Sequence, residues 1–208
     1  MSHRAYVDAT NTMRVKYAYR SPAGQWQAVT VEDLPVDHTA IAVDSQGVAY
    51  IAYSHAYDDV VKLARQSGDS FLVETVAPGT VSSRSAVAVG DDGVVHLAFY
   101  DVTSRKLMYA EGASGAWTVH EVEPNSDEGL YHSIDLAPDN SVHIVYGSGS
   151  NSPLKHATRS VGGLFHTTEW DPQGGFYPWL AVDPSGALHA LYPAGVYPYS
   201  LTYARYGY

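Results

Sequence analysis

His132, Tyr131 and Arg84 are the side chains of this sequence best suited by type to move a proton on an anionic molecule. Imidazole and phenol exchange protons, and a guanidinium clamps a carboxylate or phosphate through paired N–H donors. Histidine also raises the question of a metal. A bound zinc needs its ligands converging at roughly 2.0–2.2 Å, and the chain has neither an HExxH run nor a tight His/Asp cluster, so no metal and no cofactor is expected. The acidic pairs Asp58–Asp59 and Asp91–Asp92 read as solvated turn residues rather than calcium ligands. Cysteine is absent, which removes disulfides and thiolate chemistry together.

The elements that must position these groups repeat along the chain. VKYAY, VKLAR, LMYAE, LKHAT and LTYAR align on Ala18, Ala64, Ala110, Ala157 and Ala204, at separations of 46, 46, 47 and 47 residues. The preceding element begins at His3, Tyr50, His96, His143 and His189, with an aromatic three residues later at Tyr6, Tyr53, Phe99, Tyr146 and Tyr192. An aromatic-led segment follows in four copies, from Trp26, Phe71, Trp117 and Phe165. A fourth type, as in TAIAVDSQG and PWLAVDPSG, returns through an Asp/Gly-rich turn. Alternating apolar residues, β-branched and aromatic enrichment and Gly/Pro/Asn/Asp punctuation predict short antiparallel strands, and no helical period survives.

Four antiparallel strands in a unit of about 46 residues, five times over, predict an all-β, five-bladed β-propeller. One twisted sheet leaves both faces apolar, and stacking against a neighbour buries them. The expected organisation is a single domain over 1–208, with repeats near 1–37, 38–82, 83–129, 130–175 and 176–208. The first repeat opens at a second strand and the last ends at a third, so one outer and one inner strand are missing at the break. An unpaired inner edge attracts another strand, and a homo-oligomer through the incomplete blade is the expectation.

Composition excludes several classes. With 45% hydrophobic and 12% aromatic residues in 208, the chain can bury a core. A net charge of −10 repels a phosphate backbone, so no nucleic acid partner is expected. No apolar run approaches the roughly 18–20 residues of a membrane span. The start MSHRAYVDATNT lacks a basic segment followed by an apolar one, so a soluble chain without a signal peptide is expected.

The blade pattern DDGVVHLAFYD with LMYA and GAW, and PSGALHALY with LTYA, resembles that of bacterial propellers built from tachylectin-like and sialidase-like repeats. The resemblance covers nearly the whole chain and implies the fold. It is shared by sugar binders, sialidase-like repeat proteins and some polysaccharide lyases, and no blade carries the full S-x-D-x-G-x-x-W box, so sialidase activity is not implied.

Site residues are selected by where the repeats stop agreeing. His38, Arg84, His132 and Tyr177 align at the entry to the first strand of each blade, with Tyr131 and Trp179 adjacent, while Tyr57, Tyr100 and Tyr197 fall in nonrepeating loops. Flat rings edged by hydroxyls suit sugar faces. These nine residues are the expected ligand contacts of a lectin-like module for carbohydrate or another small molecule. The alternatives are an enzyme acting on an acidic polysaccharide through His132, Tyr131 and Arg84, and a protein-interaction scaffold. The repeated His3, His96, His143 and His189 are expected to hydrogen-bond backbone.

Overall fold

A computed structural model describes residues 2–10, 13–55, 59–79, 82–124, 126–149, 152–195 and 197–207. Among them are eighteen strands and no helix, and hence no helix long and apolar enough to cross a membrane. The strands form five antiparallel sheets. The first contains β1 (His3–Asp8), β2 (Arg14–Arg20) and β3 (Trp26–Glu32). The second orders β4 (Val36–Val43), β5 (Ala49–His55), β6 (Val60–Ser67) and β7 (Ser70–Pro78). The third orders β8 (Ser82–Val89), β9 (Val95–Asp101), β10 (Lys106–Ala113) and β11 (Ala116–Glu121). The fourth orders β12 (Tyr131–Leu136), β13 (Val142–Gly147), β14 (Leu154–Arg159) and β15 (His166–Asp171). The last contains β16 (Trp179–Val182), β17 (Leu188–Ala194) and β18 (Ser200–Tyr206).

Burial grades across the four-stranded sheets and explains their sequence. The second strand is covered on both faces: β9 and β13 are buried nearly throughout, so they read as continuous apolar runs. The third strand buries alternate residues, as in β10 and β14. The outer strand is mostly exposed, as in β11 and β15. Ala64, Ala110 and Ala157 are fully buried, which permits close approach of whatever packs on the third strand.

The chain divides into two compact units, residues 1–97 with 110–119, and residues 98–109 with 120–208. In the first, Val15, Tyr17, Val36, Ile51, Tyr53 and Ala64 form a core to which Phe71 adds an edge-on contact at 5.2 Å from Tyr17. In the second, Val145, Leu154, Leu180, Leu188, Ala190 and Tyr192 form the core, and Phe165 meets Tyr109 edge-on at 5.1 Å. Each unit also carries the same polar staple. In one, Glu32 at the end of β3 receives the Tyr53 hydroxyl at 2.7 Å and Lys62 at 2.8 Å. In the other, Glu123 receives the Tyr146 hydroxyl at 2.9 Å and Lys155 at 3.0 Å.

The repeated first position of the second strands works differently from the expectation. His3 bonds the Tyr17 hydroxyl at 2.6 Å, His143 bonds His156 at 3.0 Å and His189 bonds the Tyr203 hydroxyl at 2.8 Å. The partner is therefore a side chain on the third strand rather than backbone. Registry causes this: His3 pairs Tyr19 and His189 pairs Arg205, which places the ring diagonally opposite the residue two before that partner, on the same face of the sheet. The adjoining turn aspartates cap their own loops: Asp183 accepts from the Ser185 and Ala187 amides, and its other oxygen meets His189 at 3.1 Å.

Candidate functional site

Two glycines set the loop that carries the main aromatic surface. A Cβ on Gly175 would lie 2.2 Å from Ser152 Oγ, and one on Gly147 would lie 2.3 Å from the Gly175 Cα, so only this pair allows the two backbones to meet. Gly149 and Gly175 then exchange backbone bonds with their surroundings, Gly149 N donating to the Gly175 carbonyl at 3.2 Å and Gly175 N to the Ser152 carbonyl at 3.0 Å. The next residues, Phe176 and Tyr177, are thereby delivered beside β12. Tyr177 adopts a left-handed φ of 46° immediately before Pro178, a conformation that costs a non-glycine residue energy and clusters at functional sites.

The rings converge in the second unit. Tyr131 lies 5.1 Å from Phe176 and 4.3 Å from Tyr177, Phe176 lies 5.7 Å from Tyr199, and Tyr199 lies 6.0 Å edge-on from Tyr197. Tyr177 is 43% exposed and Tyr197 84%, so the group presents ring faces to solvent. Trp179 begins β16 and is 71% exposed. Its strand is fixed by side-chain rungs from β12: Ser133 Oγ accepts the Leu180 amide at 3.1 Å and Asp135 accepts the Val182 amide at 2.7 Å. Burial raises the Asp135 carboxyl above its ordinary range, opposed by its two backbone donors.

His132 is built into the scaffold of the same unit. Its Nδ1 lies 2.9 Å from the Gly129 carbonyl and its Nε2 3.1 Å from the Ala98 carbonyl. Both ring nitrogens thus face backbone acceptors. Tyr100 lies on β9 rather than in a loop and is buried, with its hydroxyl 3.4 Å from the Asp127 carbonyl, and among the described residues no ring contact joins it to the aromatic group.

His38 and Arg84 belong to the first unit, on β4 and β8. They lie close enough that the guanidinium adds to burial in lowering the His38 pKa. Arg84 makes further interactions of its own. Tyr57 lies outside the described residues. Among the described residues no three His, Asp or Glu side chains gather where a metal could be held.

Phe176 and Tyr199 are the rings of this group outside the nine selected residues, and Tyr199 belongs to the same nonrepeating loop as Tyr197. Phe176 follows GG, and that dipeptide was the signal: a backbone approach without room for Cβ must press the next residue onto a neighbour.

No protein-family model matches the chain. No curated protein matches it in sequence. Solved structures do resemble it. A protein of unknown function from Dyadobacter fermentans aligns with a TM-score of 0.67 at 14% identity, covering 92% of this chain and 63% of that one. The intramolecular trans-sialidase from Ruminococcus gnavus, solved with oseltamivir carboxylate, aligns at 0.60 and 13% identity, covering 94% and 50%. The Aleuria aurantia lectin, solved with Fucalpha1-6GlcNAc, aligns at 0.61 and 11% identity, covering 98% and 74%. The chain thus spans less than two thirds of the first two. Likeness at this identity is one of fold, and with the five antiparallel sheets it defines the class: the chain is an all-β protein of the β-propeller fold.

Proposed function

We propose that this chain binds carbohydrate, without turnover, on the surface made by Tyr131, Phe176, Tyr177, Tyr197 and Tyr199, with Trp179 as a further exposed contact. The observation that carries the reading is the aromatic group itself, held by a glycine pair and a left-handed tyrosine yet left open to solvent. Aromatic rings offer a sugar's C–H face apolar area, and their hydroxyls offer its edge a partner at low entropic cost. The Ruminococcus trans-sialidase and the Aleuria lectin, of similar fold, were solved with oseltamivir carboxylate and Fucalpha1-6GlcNAc. Binding is favoured over catalysis because both His132 ring nitrogens lie against backbone carbonyls, at 2.9 and 3.1 Å.

The test is binding to immobilised neutral and uronate-bearing glycans, with the soluble phase monitored for released products. Binding that Tyr177→Ala weakens at least tenfold, with no product, supports the reading. Release of shortened or unsaturated products would make the chain an enzyme, and absence of binding would end the carbohydrate reading.

A further inference from the structure

One repeat departs from the other four in a coordinated way. Where they place a ring on the third strand, at Tyr17, Tyr109, His156 and Tyr203, the second repeat has Leu63. Where they place a histidine on the second strand, it has Tyr50. At the next third-strand position it has Arg65, as the fifth repeat has Arg205, against Tyr19, Glu111 and Thr158. The ring that receives the histidine in the first, fourth and fifth repeats is missing, and a cavity of about 340 Å³ lies at Leu63, inside the first unit. That volume is at the lower end of the roughly 300–1,000 Å³ of ligand sites.

The walls of this cavity are both apolar and polar. Leu63 and Val95, both buried, line it from the core side. Asp44 accepts the Gln46 and Val48 amides through Oδ1, at 3.0 and 2.8 Å, and receives the Tyr50 hydroxyl on Oδ2 at 3.3 Å. Arg65 donates Nε to the Tyr50 oxygen at 3.2 Å and holds its guanidinium carbon 5.8 Å from the ring centre. Tyr50 and Arg65 are direct cross-strand partners, as are Leu63 and Glu74, so the ladder fixes the set. The arrangement orients Arg65 by one nitrogen and leaves its two Nη groups without a protein hydrogen bond among the described residues. Glu74 feels the Arg65 charge and forms no ion pair with it.

We propose that this cavity is a second carbohydrate subsite, which takes an uncharged sugar ring and rejects acidic ones; the choice of sugar as ligand class rests on the proposed function above. A sugar hydroxyl donates and accepts at once, so a pair of adjacent hydroxyls is matched by a guanidinium with free donors facing a carboxylate with free acceptors. Asp44, Glu74, Asp91 and Asp92 line the cavity against the single cation of Arg65. Their surplus negative charge repels a uronate or a phosphate.

The experiment is a titration of the full chain with methyl glycosides of glucose, galactose, mannose and N-acetylglucosamine, and with methyl glucuronide. The readout is the Arg65 Nε–H resonance, assigned by its loss in Arg65→Lys. The expected result is a saturable shift with at least one neutral glycoside and none with the glucuronide. Glu74→Ala should weaken that titration at least tenfold, while Tyr177→Ala leaves it unchanged. A silent Arg65 in a protein that still binds glycans through Tyr177 overturns this subsite alone; silence at both sites overturns it together with the sugar-binding reading. An equal response to methyl glucuronide also overturns it.

Discussion

Trp179 sits where a side chain can be removed at almost no cost to the fold. Its side chain is 71% exposed, while the strand that carries it is held by backbone bonds to Ser133 and Asp135. Trp179→Ala should therefore leave the melting temperature nearly unchanged and, under the sugar-binding reading, weaken glycan binding about five- to thirtyfold, as expected for about 1–2 kcal/mol of aromatic contact. Isothermal titration and a thermal melt on the same sample check both halves. His132 is the opposite case. His132→Phe removes the donor facing the Gly129 and Ala98 carbonyls and should cost about 1–3 kcal/mol in denaturant unfolding, as expected when a buried acceptor loses its partner. If stability holds and only ligand binding falls, His132 is a contact residue rather than a brace.

At the scale of elements, the glutamate at the end of an outer strand ties the next sheet in place. Tyr53 and Tyr146 are both completely buried apart from this bond, and burial together with the carboxylate pushes each phenol well above its ordinary pKa. Tyr53→Phe and Tyr146→Phe each remove one hydrogen bond to a charged acceptor and should each lower unfolding free energy by about 1–2 kcal/mol. The two staples share no partner, so the double variant should lose the sum of the single losses, which urea unfolding measures. The same logic at Tyr192, whose hydroxyl reaches Asp171 at 3.2 Å, pushes that phenol up to about 12.

For the whole molecule, acid is the sharpest probe, through the buried pair His143 and His156. Burial lowers both pKa values, that of His156 to about 4, because the rings lie stacked on each other with His156 also against Trp170. The unfolded chain binds protons at the ordinary histidine value near 6.5. Between about 6.5 and 4 the unfolded state therefore carries more protons than the folded one, and stability falls as pH drops through that window. The expected loss is on the order of 2 kcal/mol, read from denaturant midpoints at pH 7 and pH 4, and it should shrink in His156→Phe.

Five aligned alanines and a 46–47 residue period were enough to determine strands, their order within each sheet and the three-stranded first and last sheets, because antiparallel pairing of short neighbouring segments is a local property. Position within a repeat also picked out Tyr131, Tyr177 and Tyr197 from 17 tyrosines, and these three fall in one aromatic group. What repetition could not supply is where a side chain turns once its neighbours arrive. His132 aligned with His38 and Arg84, yet its ring lies between two carbonyls donated by residues 3 and 34 positions away in sequence. Tyr100 lay beside a variable loop but is buried. Phe176 joined the aromatic group only because Gly147 and Gly175 let two backbones touch, and the cavity beside Arg65 exists only because Leu63 is shorter than the rings that hold its place elsewhere. Strand pairing is written in short-range pattern, whereas the shape and free hydrogen-bonding capacity of a site depend on contacts between segments far apart in the chain, which tertiary packing alone decides.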